Sequence, residues 1–456
     1  MVLGVKQDKT KRGFFLTSVQ IIVLFYLISV IIATGVLSLP AFHNPGVSVT
    51  FVDALFTAVS AVSVTGLSVV TIHETFNSGG VIALAMIVQI GGVGVMTMGT
   101  AVWILLGKKI GMRERQLIMT DQNQSTLSGL VNLMRQILGL IMIIEFIGMV
   151  LFTVLFLKYY PSWKEALYHG FFSSVTATTN AGFDLTGQSL IPFKDDYFIQ
   201  LLTMILITAG AIGFPVLIEV KNFIAERKYK ERYNFTLFTK ITTVTFFILV
   251  VMGTVGIYVF EAGHFLADKT WHETLFYSLF QSVTTRSGGL STMDMNHFST
   301  PTNLFLSAMM FIGASPSSVG GGVRTTTVAV AFLAIWFYAK GRNSIKVFGR
   351  EVMTEDVQKS FIVLIVAFLI CSAASLFLAV TDPLPIEKIV FEVCSAFGTT
   401  GLSLGITPDL STGGKIILMV LMFIGRIGVL SFLFIIRGKT VVEHFHYPKE
   451  KIIIGQ

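Results

Sequence analysis

Apolar stretches along the chain come in two lengths. Eight are long enough as helix to cross a membrane core of ~30 Å, which takes about 20 residues. They run roughly from 14 to 39, 81 to 106, 136 to 157, 197 to 220, 237 to 260, 302 to 339, 360 to 381 and 415 to 436. Between the members of each successive pair lies a shorter run, of the length expected for a re-entrant segment: Phe51 to Val62, Ala166 to Ala177, Thr274 to Val283 and Ile389 to Phe397. The short runs start alike, with Asp53-Ala54-Leu55-Phe56, Glu165-Ala166-Leu167-Tyr168, Glu273-Thr274-Leu275-Phe276 and Glu387-Lys388-Ile389-Val390-Phe391. An acid in the first turn caps a helix and suits the positive end of its dipole. The pattern predicts a unit of span, short pore helix, loop and span, repeated at 1–110, 111–232, 233–350 and 351–456. The fold class is therefore all-α integral membrane, with eight transmembrane helices and four re-entrant pore loops placed with pseudo-fourfold symmetry around one central pore.

Composition agrees: 53% of the 456 residues are hydrophobic, 13% are charged and mean hydropathy is +0.76, outside the range of a soluble domain. The net charge of +7 acquires meaning from its placement. With both termini in the cytoplasm, 22 lysines and arginines fall in inner segments and 6 in outer ones, as the positive-inside rule requires. The excess is thus topology, not nucleic-acid binding, and the pore loops face outward. Residues 14 to 39 are too long for a signal-peptide core and read as an uncleaved first span. Cys371 and Cys394 lack metal or disulfide spacing, and no nucleophile–base pair stands out, so an enzyme is not expected.

Each short helix delivers the chain to a glycine phrase. The candidate ion-binding residues are Val62, Ser63, Val64, Thr65 and Gly66; Thr178, Thr179, Asn180, Ala181 and Gly182; Thr284, Thr285, Arg286, Ser287 and Gly288; and Phe397, Gly398, Thr399, Thr400 and Gly401. Non-helical backbone at membrane depth is tolerated only when buried in protein or lining water. A ring of carbonyls there can replace an ion's hydration shell, and the negative ends of four short helices favour a cation. Hydroxyls of the flanking serines and threonines would add oxygens to the lining. Single glycines more often serve helix packing; four at equivalent positions argue for a ring. Arg286 is the exception beside a cation path, and an extended loop would turn it away from the axis, with Glu145 as a candidate partner.

The second span of the third repeat is interrupted by Gly313, Ala314, Ser315, Pro316, Ser317, Ser318, Val319, Gly320, Gly321 and Gly322, a stretch too rich in Gly and Pro to stay helical. Below a pore loop it reads as a gate, with a simple kink as the bland alternative. Arg426, a charge inside the last span, is either a barrier lining the path or a clamp on this loop. The same break is the strongest argument for a rival function, a sodium-coupled secondary solute symporter with its site at broken helices. Four units of one topology favour the pore.

The four glycine loops, the break at 313 to 322 and Arg426 resemble the TrkH, KtrB and plant HKT superfamily of potassium transporters over nearly the whole chain, most of all the membrane subunits of bacterial Ktr systems. The resemblance implies channel-like K+ uptake across the cell membrane, K+ being held by filter backbone carbonyls, with sodium as a second ion. It further implies a homodimer in the lipid bilayer and a cytosolic ring of RCK-domain subunits, of KtrA type, that alone binds ATP or ADP.

Overall fold

The computed structural model describes residues 17–94, 129–226 and 234–437, with residues 115, 116, 119, 447, 448, 450 and 452. Repeat one contributes α1 (Ser18–Leu37), α2 (Phe51–Ser63) and α3 (Ser78–Val93). Repeat two contributes α4 (Leu130–Phe156), α5 (Trp163–Thr178), α6 (Tyr197–Ala211) and α7 (Phe214–Glu226). Repeat three contributes α8 (Leu237–Glu261), α9 (Trp271–Thr284), α10 (Thr300–Phe311) and α11 (Thr325–Ala339). Repeat four contributes α12 (Thr354–Thr381), α13 (Ile386–Gly398), α14 (Thr412–Ile427) and α15 (Val429–Arg437). A hairpin of two-residue strands, β1 (Lys346–Val347) and β2 (Arg350–Glu351), joins repeats three and four.

The helices begin where polar side chains supply the missing acceptors. Thr50 accepts from the Asp53 N–H, Asn77 from Gly80, Asp196 from Phe198 and Ile199, and Ser411 from Gly414, each satisfying a donor that a helix start leaves unpaired. Among the described residues four helices, α1, α4, α8 and α12, span a membrane by length and composition. Their outward residues stay apolar, as at Ile31, Val259 and Val380, because the surrounding solvent is hydrocarbon.

Each first span packs on its own pore helix: α1 on α2, α4 on α5, α8 on α9 and α12 on α13. Each second span leans on the pore helix of the next repeat: α3 on α5, α6 on α9, α10 on α13 and α14 on α2. The last contact returns repeat four to repeat one, so the units close into a ring in chain order. At that seam Lys415 Nζ lies 2.8 Å from Asp53 Oδ1, which gives the acid of α2 a tertiary partner beyond its capping role.

The second spans differ from the sequence expectation. A break was expected only in the third repeat, yet α6 and α7 meet at 106° and α14 and α15 at 102°. Gly213 and Gly428 make these corners with φ of 103° and 85°, a region that only glycine enters without cost. Gly94, at the end of α3, has φ 97°. The spans at 197 to 220 and 415 to 436 are therefore bent pairs, whose apolar run conceals a corner. The expected span at 81 to 106 is described only as far as residue 94. Many of the bases that set the expected orientation, including Lys6, Lys108, Lys228 and Lys439, lie outside the described residues.

Buried acids at the ends of first spans tie down second spans. Glu261 accepts from the Ser299 N–H at 2.8 Å, the Ser299 hydroxyl at 2.6 Å and the Thr302 hydroxyl. Asp382, just beyond α12, accepts from the Ser411 N–H at 2.6 Å and the Ser411 and Thr381 hydroxyls at 2.9 and 2.8 Å. Burial alone would push the Asp382 carboxyl up, but these donors outweigh it and hold it below its ordinary value. With the folded pKa depressed, the stabilisation is present above the unfolded value and is lost as pH falls through the folded one. Asp382→Ala is expected to cost about 1–2 kcal/mol at neutral pH, read as a lower thermal midpoint in detergent. The deficit should shrink in acid below the usual carboxylate range; a deficit that grew there would reverse this assignment.

Candidate functional site: four glycine loops and the loop beneath them

The pore helices all end in a left-handed residue. Val64, Asn180, Ser287 and Thr399 have φ of 58°, 56°, 75° and 48°. This conformation costs an L-residue roughly 1–2 kcal/mol, and Val64 and Thr399 are β-branched, for which it is a true outlier. In repeats one, two and four the following N–H reaches back five residues, Thr65 to Ser60 O at 2.8 Å, Ala181 to Thr176 O at 2.8 Å and Thr400 to Ser395 O at 2.9 Å. These are Schellman closures, and they turn the chain sharply off each helix. Two residues after each left-handed position comes a glycine: Gly66, Gly182, Gly289 and Gly401, with φ of 90°, 67°, 71° and 95°.

These four glycines meet. A methyl group on Gly66 would strike the Ala181 carbonyl and Gly182; on Gly182, Gly289 and Gly66; on Gly289, the Thr400 carbonyl, Gly182 and Gly401; on Gly401, the Thr65 carbonyl, Gly289 and Gly66. They form a ring in chain order in which backbone from four repeats converges without room for a Cβ.

One residue of the expected ring is corrected. Gly288 stands outside it: a methyl there would face Ile207 and Thr284, and Gly289 takes the shared position. Helix α9 stops at Thr284, and the Gly288 N–H bonds Thr284 O at 2.6 Å in a four-residue closure. Repeat three thus carries one more residue between helix and glycine than the phrase alignment allowed. Ser287, not Arg286, matches Val64, Asn180 and Thr399.

Most flanking hydroxyls serve the backbone. Ser63 donates to Val59 O at 2.6 Å, Thr179 to Val175 O at 2.6 Å, Thr284 to Leu290 O at 2.6 Å and Thr285 to Ser282 O at 2.7 Å. Thr65 is 2.8 Å from Ser63. Among the described residues the Thr178 and Thr400 hydroxyls have no partner. Val62 and Phe397 lie in the last turns of their helices, Phe397 stacked on Phe311 at 5.6 Å, and Gly398 abuts Met310 O.

Arg286 is fully buried and donates to Met309 O on α10, with a 3.3 Å contact to Thr285 Oγ1. The proposed Glu145 partner is incorrect: Glu145 accepts from Gln89 Nε2 at 2.9 Å instead. Arg286 thus braces its loop against a carbonyl of the adjoining second span.

Residues 312–324 cross directly beneath the ring. Ile312 and Val323 form a parallel bridge, and Ala314 N–H bonds Gly321 O at 3.2 Å, so the segment is a tight loop closed on itself. It is sewn to its neighbours through Ser315 N–H to Ala211 O at 3.0 Å, Val319 N–H to Gly210 O at 3.2 Å and Gly322 N–H to Gly425 O at 3.2 Å. Its Gly321 N–H donates to Thr399 Oγ1 at 2.6 Å. Ser317 O accepts from Phe214 N–H at 2.8 Å, Ser318 bonds back to Ser315 O at 2.6 Å, and Gly320 has no room for a methyl beside Ser287. Gly313 packs on Gly321, and Pro316 O lies beside Gly213. Arg426 donates to Val319 O, to Gly91 O and, at 3.2 Å, to Gly92 O. Of the two roles its position suggested, this is the clamp's geometry. Arg324, which the sequence offered no separate reason to choose, holds the loop from within through Gly320 O and, at 3.3 Å, Ser315 O.

Open space lies on both sides. Beyond the ring is a crevice of about 290 Å³ containing Gly66, Gly182, Ser68, Thr71 and Asp184; beneath the loop is one of about 110 Å³ containing Tyr26, Ser317, Arg324 and Arg426.

A ring of re-entrant loops closed below by an intramembrane loop defines a multi-pass membrane protein of the pore-loop transporter class. The family model described as TrkH, cation transport protein, matches residues 9–441. The chain belongs to this family of transporters. It is 56% identical over 440 residues to the Ktr system potassium uptake protein D of Bacillus subtilis, covering 96% of this chain and 98% of that one. The Ktr system potassium uptake protein B of the same organism is 32% identical, with 99% and 100% covered. The potassium/sodium uptake protein NtpJ of Enterococcus hirae is 33% identical, with 96% and 98% covered. In fold the chain is similar to the crystal structure of the potassium transporter TrkH from Vibrio parahaemolyticus, with TM-score 0.72, 18% identity and 93% and 86% covered.

Gly289→Ala is expected to abolish cation flux in reconstituted vesicles, since its methyl meets backbone and its φ is left-handed. Gly288→Ala, whose methyl meets the ends of the Ile207 and Thr284 side chains and, at 3.0 Å, the Thr284 Cα, and whose backbone is not left-handed, should keep a measurable fraction. The reverse ranking at equal expression would return Gly288 to the ring.

Proposed function

We propose that this chain is the ion-conducting membrane subunit of a potassium uptake system, passing K+ through the ring at Gly66, Gly182, Gly289 and Gly401. The observation that carries the reading is the convergence of those four backbones at the C-terminal ends of four pore helices. Carbonyls there replace water around the ion, and the partial negative charge of each helix end lowers the cost of holding a cation away from bulk solvent. The names of the similar Bacillus proteins support potassium as the ion, and that of the Enterococcus protein keeps sodium as a second. The symporter reading loses its main argument, because corners at Gly213 and Gly428 make broken second spans a property of the fold and not of one site.

In this reading the 312–324 loop is the gate and Arg426 its latch. Opening requires the loop to release Gly210, Ala211 and Gly425 and Arg426 to release Val319, while the strained turns above keep the filter shaped. In the same reading the termini and the hairpin at Lys346–Glu351 face the cytoplasm, the subunit works as a homodimer, and a nucleotide-binding RCK ring regulates it from outside this chain.

Radioactive rubidium uptake into proteoliposomes tests the function. Uptake that external K+ suppresses, and that Gly66→Asp removes, is expected; indifference to both would refute a potassium filter. Arg426→Ala should raise the rate severalfold, because a latch spanning repeats one, three and four is lost. A well-folded variant with unchanged or lower flux would leave the loop without a gating role.

A further inference from the structure

Outside the ring, one ionisable side chain next to the filter has no role yet. Glu392 lies on α13, two turns before its end, and is fully buried. Its Oε1 accepts from the Ser403 hydroxyl, its Oε2 from the Thr407 hydroxyl at 3.1 Å, and the Leu404 N–H also donates to it. Ser403 is the second residue after ring glycine Gly401. One turn further along the same helix, Ser395 Oγ accepts from the Gly401 N–H at 3.1 Å. A single helix face therefore fixes both the ring glycine and the strand that leaves it.

Repeat three has the neutral counterpart. Gln281 on α9 donates through Nε2 to Ser291 Oγ at 3.0 Å, and Ser291 is the second residue after Gly289. The scaffold can thus brace this strand with an amide. In repeat four it uses a carboxyl group whose donors are all neutral, and among the described residues no lysine, arginine or histidine pairs with it. Burial works most strongly against the charged form of this carboxyl group, the hydroxyl and N–H donors work for it, and a buried carboxylate needs further compensation. A cation held in the ring would supply that compensation.

We propose that Glu392 is a positioning and specificity-determining residue of the filter: it holds the strand after Gly401 in register, and its charge strengthens cation occupancy of the ring. The inference rests on the ring being the filter. Glu392→Gln keeps the shape and can satisfy both hydroxyls while removing the charge. It is expected to raise the half-saturating rubidium concentration about tenfold, the scale of a unit charge acting at an effective dielectric of ~20, with a smaller change in maximal rate. Glu392→Ala and Thr407→Val, which loosen the strand, should also lower the preference for rubidium over sodium. If Glu392→Ala does not fold, Thr407→Val carries that arm. Wild-type half-saturation and ion preference in Glu392→Gln would overturn the proposal. Gly401→Ala separates the two readings: flux and preference untouched by that change would remove the filter itself, whereas a damaged Gly401→Ala beside a silent Glu392→Gln would remove only the role of Glu392.

Discussion

Backbone that leaves a helix within hydrocarbon must find its hydrogen bonds inside the protein, and the organisation of this chain follows from that requirement. Four loops depart from helical geometry at membrane depth, and a fifth lies below them. Each is tolerable only because the others surround it. The ring of second spans leaning on the next repeat's pore helix provides the enclosure, and the glycines provide the closeness. A single re-entrant loop would be an exposed defect; four joined in a ring become a lined path.

The same requirement explains how side chains are used. Ser63, Thr179, Thr284 and Thr285 give their protons to nearby carbonyls, relieving helix ends that cannot turn to water. Glu261 and Asp382 do the converse, accepting from the starts of second spans. The arginines meet carbonyls throughout: Arg286 at Met309, Arg324 at Gly320 and Arg426 at Val319 and Gly91. Guanidinium groups offer five donors in a fixed fork, which suits an interior with surplus carbonyls at every break.

Much of this organisation was legible in the sequence. Short apolar runs located the pore helices to within a few residues, and long ones located the first spans, though α4 and α12 start six residues earlier than expected, since length and hydropathy are what a bilayer selects. The Gly-rich break at 313 to 322 was equally plain. Two kinds of feature escaped. The corners at Gly213 and Gly428 sit inside unbroken apolar runs, where composition does not distinguish a straight helix from a bent pair. The ring glycine of repeat three was misassigned because Gly288 and Gly289 are adjacent, and only the end of α9 decides between them. Long-range partners, such as Glu145 with Gln89 or Asp382 with Ser411, leave no local pattern at all.

Thr399 belongs to two structures at once. Its left-handed backbone shapes the turn into the fourth glycine loop, its carbonyl accepts from Ser287 of the third at 2.6 Å, and its hydroxyl accepts from Gly321 of the loop below. Movement of the lower loop therefore alters the bonding of a residue that forms the upper ring. By thermodynamic reciprocity an ion that stabilises one ring geometry must then bias the loop in return. Under the proposed function, permeant ion and lower loop are then linked through one threonine, so the open fraction should vary with which ion, and how much of it, is being carried.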